Sequence, residues 1–224
     1  MMMKYSAIIL LGGKSTRFGG EQNKVYYRIN NKPIFCYPLE LFLSDKDCFE
    51  VIVVYNLEDL DILNNILKDY PNVIKTVGGS MRHLSVLEGI KKANCNYVLV
   101  HDGARPNINL KMLNDLKDEL AKSDAVSLGV RVTDTIKKVT SENIETVDRS
   151  NLFAVQTPQG CVKNILMDAL SKVKLDDNIT DDLMAIEKYT NAVSKIVIGS
   201  KENIKVTTLE DYRYVKFLMG DKNV

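Results

Sequence analysis

The chain has 224 residues, and its 30 Lys and Arg against 29 Asp and Glu leave a formal net charge of +1, which excludes a long-range field that would attract nucleic-acid polymers or anionic membranes. With 45% hydrophobic and 26% charged residues it is not a disordered chain. Its apolar opening at 7–11 falls far short of the roughly 20 residues of a membrane span or the core of a signal peptide.

Taken in chain order, an apolar stretch at 5–11 ending in Gly12-Gly13 predicts a buried strand feeding a loop. The loop runs to about Lys24 and is rich in Gly and polar residues. Pro33 predicts a helix opening there and running to about residue 43. A strand is expected over 51–55. Leu60, Leu63 and Leu67, with Ile62 and Ile66, then form a helical stripe that stops before Pro71. Strands at 73–77, 97–101 and 125–132 alternate with helices at 85–93 and 110–121. Residues 135–149 alternate in polarity around Ser141-Glu142-Asn143 and read as a hairpin. Helices at 162–172 and about 181–189, a strand at 195–198 and a helix at 209–218 complete the chain.

Short strands alternating with longer helices predict an α/β fold: a Rossmann-like, mostly parallel sheet with helices on both faces. The expectation is a single domain over 1–224 with a projecting hairpin arm at about 133–150. In such sheets ligands sit beyond the carboxyl ends of the strands. The loops after Leu11, Val77 and Val100 all fall there, so the chemistry is expected on one edge.

Cys36, Cys48, Cys95 and Cys161 are scattered, and His83 and His101 are the two His. A clustered zinc site is not expected, and isolated thiols suit a reducing cytoplasm. Gly12-Gly13-Lys14-Ser15-Thr16 resembles the end of a P-loop, but Ile8 occupies the position of the leading Gly. G-x-G-x-x-G fails as well, because Ser15 stands where its second Gly belongs. What remains is a glycine turn whose backbone can approach phosphates, with Arg17 and Lys24 in the same loop. Gly78-Gly79 opens a helix whose free N–H groups suit a base or phosphate. Asp102, at a strand carboxyl end beside Gly103, is well placed for a divalent ion. His101 reads as a packed residue.

The Gly12, Gly13, Arg17, Lys24 pattern resembles the nucleotidyltransferases that join a nucleoside monophosphate to a sugar or polyol phosphate. Further stretches narrow this. They are 78–86 (Gly-Gly-Ser-Met-Arg-His-Leu-Ser-Val), 100–106 (Val-His-Asp-Gly-Ala-Arg-Pro), 132–137, 147–149, 156–159, 179–182 and 203–208. Together they resemble the 2-C-methyl-D-erythritol 4-phosphate cytidylyltransferases of non-mevalonate isoprenoid synthesis. The resemblance spans about 5–218. Asn23 stands where the family usually has Pro, and Gly103 where it usually has Ala.

The resemblance implies CTP as nucleotide, Mg²⁺ as cofactor and Asp102 as its ligand. It implies that Leu11, Gly12, Gly13, Arg17 and Lys24 hold the triphosphate, with Arg17 and Lys24 catalytic. Gly79 and Ser85 would contact the cytosine, and Asp102 and Gly103 the ribose and phosphates. Thr135, Arg149, Thr157, Thr180 and Lys205 would bind the polyol phosphate. The hairpin would join two copies in a homodimer, so that Thr135 and Arg149 serve the neighbouring site. Ribitol 5-phosphate is the alternative acceptor, and a non-catalytic nucleotide-binding module the alternative of another class.

Overall fold

The uncharged stretch Tyr-Ser-Ala-Ile-Ile-Leu forms β1 (Tyr5–Leu10), buried at every position. The structure, a computed structural model, describes residues 3–13, 18–19, 22–174 and 176–220. After β1 the chain makes a hairpin of β2 (Arg28–Ile29) and β3 (Lys32–Pro33), then α1 (Cys36–Ser44), β4 (Cys48–Tyr55), α2 (Leu60–Leu67), β5 (Ile74–Val77), α3 (Arg82–Lys92) and β6 (Tyr97–Asp102). Next come α4 (Leu110–Leu120), β7 (Ala125–Arg131), β8 (Ile136–Val139), β9 (Ile144–Val147) and β10 (Phe153–Val162). The chain closes with α5 (Lys163–Ser171), α6 (Asp182–Tyr189), β11 (Ser194–Ile198) and α7 (Leu209–Leu218).

Seven strands form one sheet in the order β11-β7-β10-β6-β1-β4-β5. Neighbours run parallel except at β10, which is antiparallel to both β6 and β7. Side chains alternate across a strand, and β1 shows the consequence. Ala7 and Ile9 pack with Leu39 of α1, Leu63 of α2 and Leu113 of α4. Ile8 and Leu10 pack on the other face with Val86 of α3, Leu166 of α5 and Ile186 of α6. The expected α/β architecture with helices on both faces is therefore the observed one.

Two local expectations are corrected. Pro33 does not open a helix; it ends a hairpin, and α1 starts three residues later. The signal lay in Asn30 and Asn31, whose φ of 48° and 63° make a tight turn that Asn tolerates better than other side chains. The second correction is β10, ten residues long and unanticipated. Its Gln-Thr-Pro-Gln centre argues against a central strand. The register shift between Val155 and Gln159 accommodates the Pro. The buried amides are satisfied individually: Gln156 Nε2 donates to Ser200 O at 2.8 Å, and Gln159 Nε2 to Asp181 Oδ2 at 2.9 Å.

β8 and β9 pair only with each other, as the alternating sequence predicted. The arm leaves Val139 and Ile144 at its tip 67% and 64% exposed.

Candidate active site

β1 has β4 on one side and β6 on the other. From β1 the chain runs outward through β4 and β5 and then returns to the other side of β1 at β6, so a crevice opens at this switch point beyond the carboxyl ends. A cleft of about 750 Å³ lies there. Gly12, Gly13, Lys24, Gly79, Ser85, Asp102 and Lys205 all line it and, with residues 56–58, six separate segments of chain meet at one site.

Local sequence explains each placement. Gly13 has φ +136°, a conformation that side chains resist. A Cβ on Gly79 would come within 2.4 Å of Leu84 Cβ, so the turn into α3 requires Gly there. α3 begins at the cleft with Met81 as N-cap and no side-chain cap. Its positive end therefore lies at the cavity and favours anions. Ser85 Oγ lies 3.3 Å from Gly79 O and 3.2 Å from Met81 O, and its one O–H is shared between them, bracing this turn. Lys24 starts a single 3₁₀ turn, Lys24–Tyr26, anchored by the buried Val25 and Tyr26.

The cleft floor is an ion network. Lys205 Nζ lies 2.8 Å from Asp102 Oδ2, Arg105 Nε 3.8 Å from the same oxygen, and Arg82 Nη2 3.9 Å from Oδ1. Burial alone would raise the Asp102 carboxyl, but these three cations hold it well below the usual carboxylate range. Arg82 is gripped from behind by Asp182, which is 1% exposed, through bonds of 2.8 and 2.9 Å. Arg82, Arg105 and Lys205 set against Asp102 and Asp182 leave one positive charge, while Lys24 and Glu58, which also line the cleft, offset each other. Arg82 and Asp182 had no role in the sequence reading. Their signal was charge inside matched motifs, which spacing alone does not separate from surface charge.

The other expected residues are placed as follows. Leu11 is buried beneath the glycine turn, its N–H donating to Val54 O at 2.8 Å. Gly103 lies behind the cleft, its N–H donating to Leu10 O at 2.9 Å. Thr157 is 4% exposed, and its hydroxyl accepts from the Asp102 N–H at 3.0 Å and meets His101 Nδ1 at 3.1 Å. It serves strand β6 rather than opening into the cavity. Thr180 is exposed just before α6. Thr135 and Arg149 are exposed at the base of the arm, where Arg149 donates to Thr133 O. None of these six lines the cleft. Arg17 lies outside the described residues.

His101 is fully buried, with Nε2 3.0 Å from Arg105 O. Burial pushes its imidazole down to about 4, so it is neutral at pH 7 and acts as a brace. The unfolded chain then binds the extra proton first, and stability falls as pH drops from about 6.5 toward 4. Between pH 7 and 5 this costs about 2 kcal/mol. Asp102, depressed in the folded state, contributes its own loss only below about pH 4. Urea melts at pH 7 and 5 should show the first loss in the native chain and a smaller one in His101→Gln. Equal losses in both would contradict it.

Among the described residues there is no group of three or more His, Cys, Asp or Glu that could hold a metal. The cleft does offer the Asp102 carboxylate. That set fits a hard divalent ion such as Mg²⁺, which keeps waters and takes one or two carboxylates plus substrate phosphates.

The family model described as 2-C-methyl-D-erythritol 4-phosphate cytidylyltransferase (IspD) matches residues 5–221. A Bacillus cereus protein of that name is 39% identical over 214 residues, covering 92% of this chain and 94% of its own. One from Clostridioides difficile is 35% identical over 223 residues, covering 96% of this chain and 94% of its own. The solved 4-diphosphocytidyl-2C-methyl-D-erythritol synthase of Anaerococcus prevotii superposes with a TM-score of 0.86 at 27% identity, covering 98% of this chain and 99% of that one. A cleft built at the switch point from matching motifs, within a fold matched end to end, has one reading: the chain belongs to the 2-C-methyl-D-erythritol 4-phosphate cytidylyltransferase family.

Proposed function

We propose that the chain transfers the cytidylyl group of CTP to 2-C-methyl-D-erythritol 4-phosphate and releases pyrophosphate. The observation that carries this is the convergence of Gly12, Gly13, Lys24, Gly79, Ser85, Asp102 and Lys205 on one cleft. The names of the relatives favour methylerythritol phosphate over ribitol 5-phosphate as acceptor. Retention of charged groups at the cleft argues against a module that binds nucleotide without reaction.

A phosphate oxygen of the acceptor attacks the α-phosphorus of CTP, and the bond to the β-phosphate oxygen breaks. The acceptor phosphate, with a second pKa of about 6, is mostly dianionic at pH 7. It needs no strong base, which agrees with a neutral, buried His101. Catalysis then rests on positioning and charge. Lys24, and Arg17 of the same loop, stabilise the charge gathering on the α-phosphate. Asp102 would hold a divalent ion such as Mg²⁺, which would supply neutralisation of the triphosphate. Asp102 and Lys205 neutralise each other at 2.8 Å. An entering phosphate offers Lys205 a second anion, and releases Asp102 from its nearest cation toward a divalent ion. Gly79 and Ser85 face the base, and Gly103 and Leu11 support the ribose and phosphate side from beneath. Thr180, exposed just before α6, binds the acceptor, and Thr157 contributes by holding the Asp102 backbone in place.

A homodimer completes the site. The exposed Val139 and Ile144 give the arm an apolar tip for a second copy, and Thr135 and Arg149 at its base then reach the neighbour's acceptor. Among the described residues no helix is long and apolar enough to cross a membrane. Four free thiols support a cytoplasmic setting.

Pyrophosphate release from CTP with each acceptor tests the reading. Methylerythritol phosphate should support turnover and ribitol 5-phosphate should not; the reverse, or no release with either, overturns it. Arg149→Ala should raise KM for methylerythritol phosphate about tenfold or more, because a charge-assisted fork is lost. Its KM for CTP should stay as it is. An unchanged acceptor KM would remove Arg149 from the site.

A further inference from the structure

Asn23, just before the Lys24 turn, bonds back through its side chain to Leu11 at the end of β1. Asn23 is 9% exposed. Its Nδ2 donates to Leu11 O at 2.7 Å and reaches Asp59 Oδ2 at 3.3 Å, while its Oδ1 accepts from the Val25 N–H at 3.4 Å. An amide offers two N–H donors and an acceptor oxygen, and here all three are directed at fixed neighbours. Leu11 is itself held by its N–H on Val54 O at 2.8 Å. On the far side, the Tyr26 N–H donates to Asn23 O at 3.0 Å and the Phe35 N–H to Val25 O at 3.2 Å.

Lys24 sits between these anchors. Its two neighbours in sequence are buried, and its own carbonyl accepts from the Tyr27 N–H at 3.1 Å. The origin of the Lys24 side chain is thereby tied to the carboxyl end of β1, the same strand end that presents Gly12 and Gly13 to the cleft.

We propose that Asn23 is a positioning residue for the transfer step, clasping Leu11 to the Lys24 turn so that the ammonium is set against the glycine loop. This rests on the reading of Lys24 as catalytic. The clasp acts through geometry: a displacement of about 1 Å at a reacting group is enough for on the order of 100-fold in rate. Asn23→Ala removes the clasp altogether. Asn23→Asp keeps the shape and the acceptor for Val25 but replaces the donor with a carboxylate facing Leu11 O and Asp59.

The test measures pyrophosphate release by the full chain for Asn23→Ala, Asn23→Asp, Lys24→Ala and the Asn23→Ala, Lys24→Ala double variant, with a melting curve for each. Expected is a fall in kcat of about 10- to 100-fold in both Asn23 variants, with the acceptor KM within about twofold of wild type. In the Lys24→Ala background the Asn23 change should cost no more than about threefold further, because it acts through the ammonium already removed. A purely structural role would shift the melting curve and leave a full, additive kcat loss in the double variant; that result overturns the inference. So does wild-type kcat in both Asn23 variants while Lys24→Ala is crippled, which leaves the reading of Lys24 standing. Wild-type kcat in Lys24→Ala sinks that reading, and the inference with it.

Discussion

Lys24→Ala is expected to lower kcat for cytidylyl transfer by about 10²- to 10³-fold, the range seen when a preorganised donor is removed from developing charge. The reason is location. Lys24 lines the same cleft as Gly12 and Gly13, on a turn whose neighbours Val25 and Tyr26 are 2% and 3% exposed. Removing the ammonium takes away a cation whose backbone does not move to compensate. The fold should survive, because Lys24 is not part of the core and the buried anchors remain. Steady-state kinetics with CTP and methylerythritol phosphate, alongside a thermal melt, would check both halves. A variant with unchanged kcat and unchanged melting would remove Lys24 from the chemistry.

Asp182→Ala is expected to destabilise the chain by about 3 kcal/mol, the lower end for breaking a buried ion pair, since the Arg82 side chain is 27% exposed. Asp182 makes two parallel bonds to Arg82, and its N–H donates to Gln159 Oε1 at 2.9 Å. Without the carboxylate, Arg82 keeps Asp102, now 3.9 Å away, as its ion-pair partner, with Asp181 as a weaker anion nearby. Drawing Arg82 onto Asp102 displaces Lys205 and disturbs the nucleotide cleft. The stability loss should therefore come with a higher KM for CTP. Urea unfolding would measure the first and initial rates the second. A loss under about 1 kcal/mol would show that Arg82 is satisfied without Asp182.

Much of the fold was legible because its elements obey period. The stripe Leu60, Leu63, Leu67 gave α2, which ends before Pro71, and the alternation in 135–149 gave the separate β8–β9 pair. β10 escaped because the rule that polar residues and Pro avoid central strands is statistical. Its glutamines are buried against partners as distant in sequence as Ser200 and Asp181, which no local window contains. Pro33 misled for a related reason: the same fixed φ suits a helix start and a hairpin end, and the Asn30-Asn31 turn decided between them.

By itself the sequence determined the layered α/β class, the glycine turns and, through resemblance, the family. Each follows from local backbone preference, periodicity or motif order, and all are one-dimensional. Only the tertiary structure decided how charge is distributed. Near-neutrality over 224 residues hides a network in which Lys205, Arg82 and Arg105 share one carboxylate, with Asp182 holding Arg82 from a hundred residues away. It also separated Thr157, turned inward to His101, from the residues that line the cleft. Coulomb interaction falls with distance and strengthens with burial, and both are set by packing. A chain with almost no net charge can therefore hold a strongly polar site.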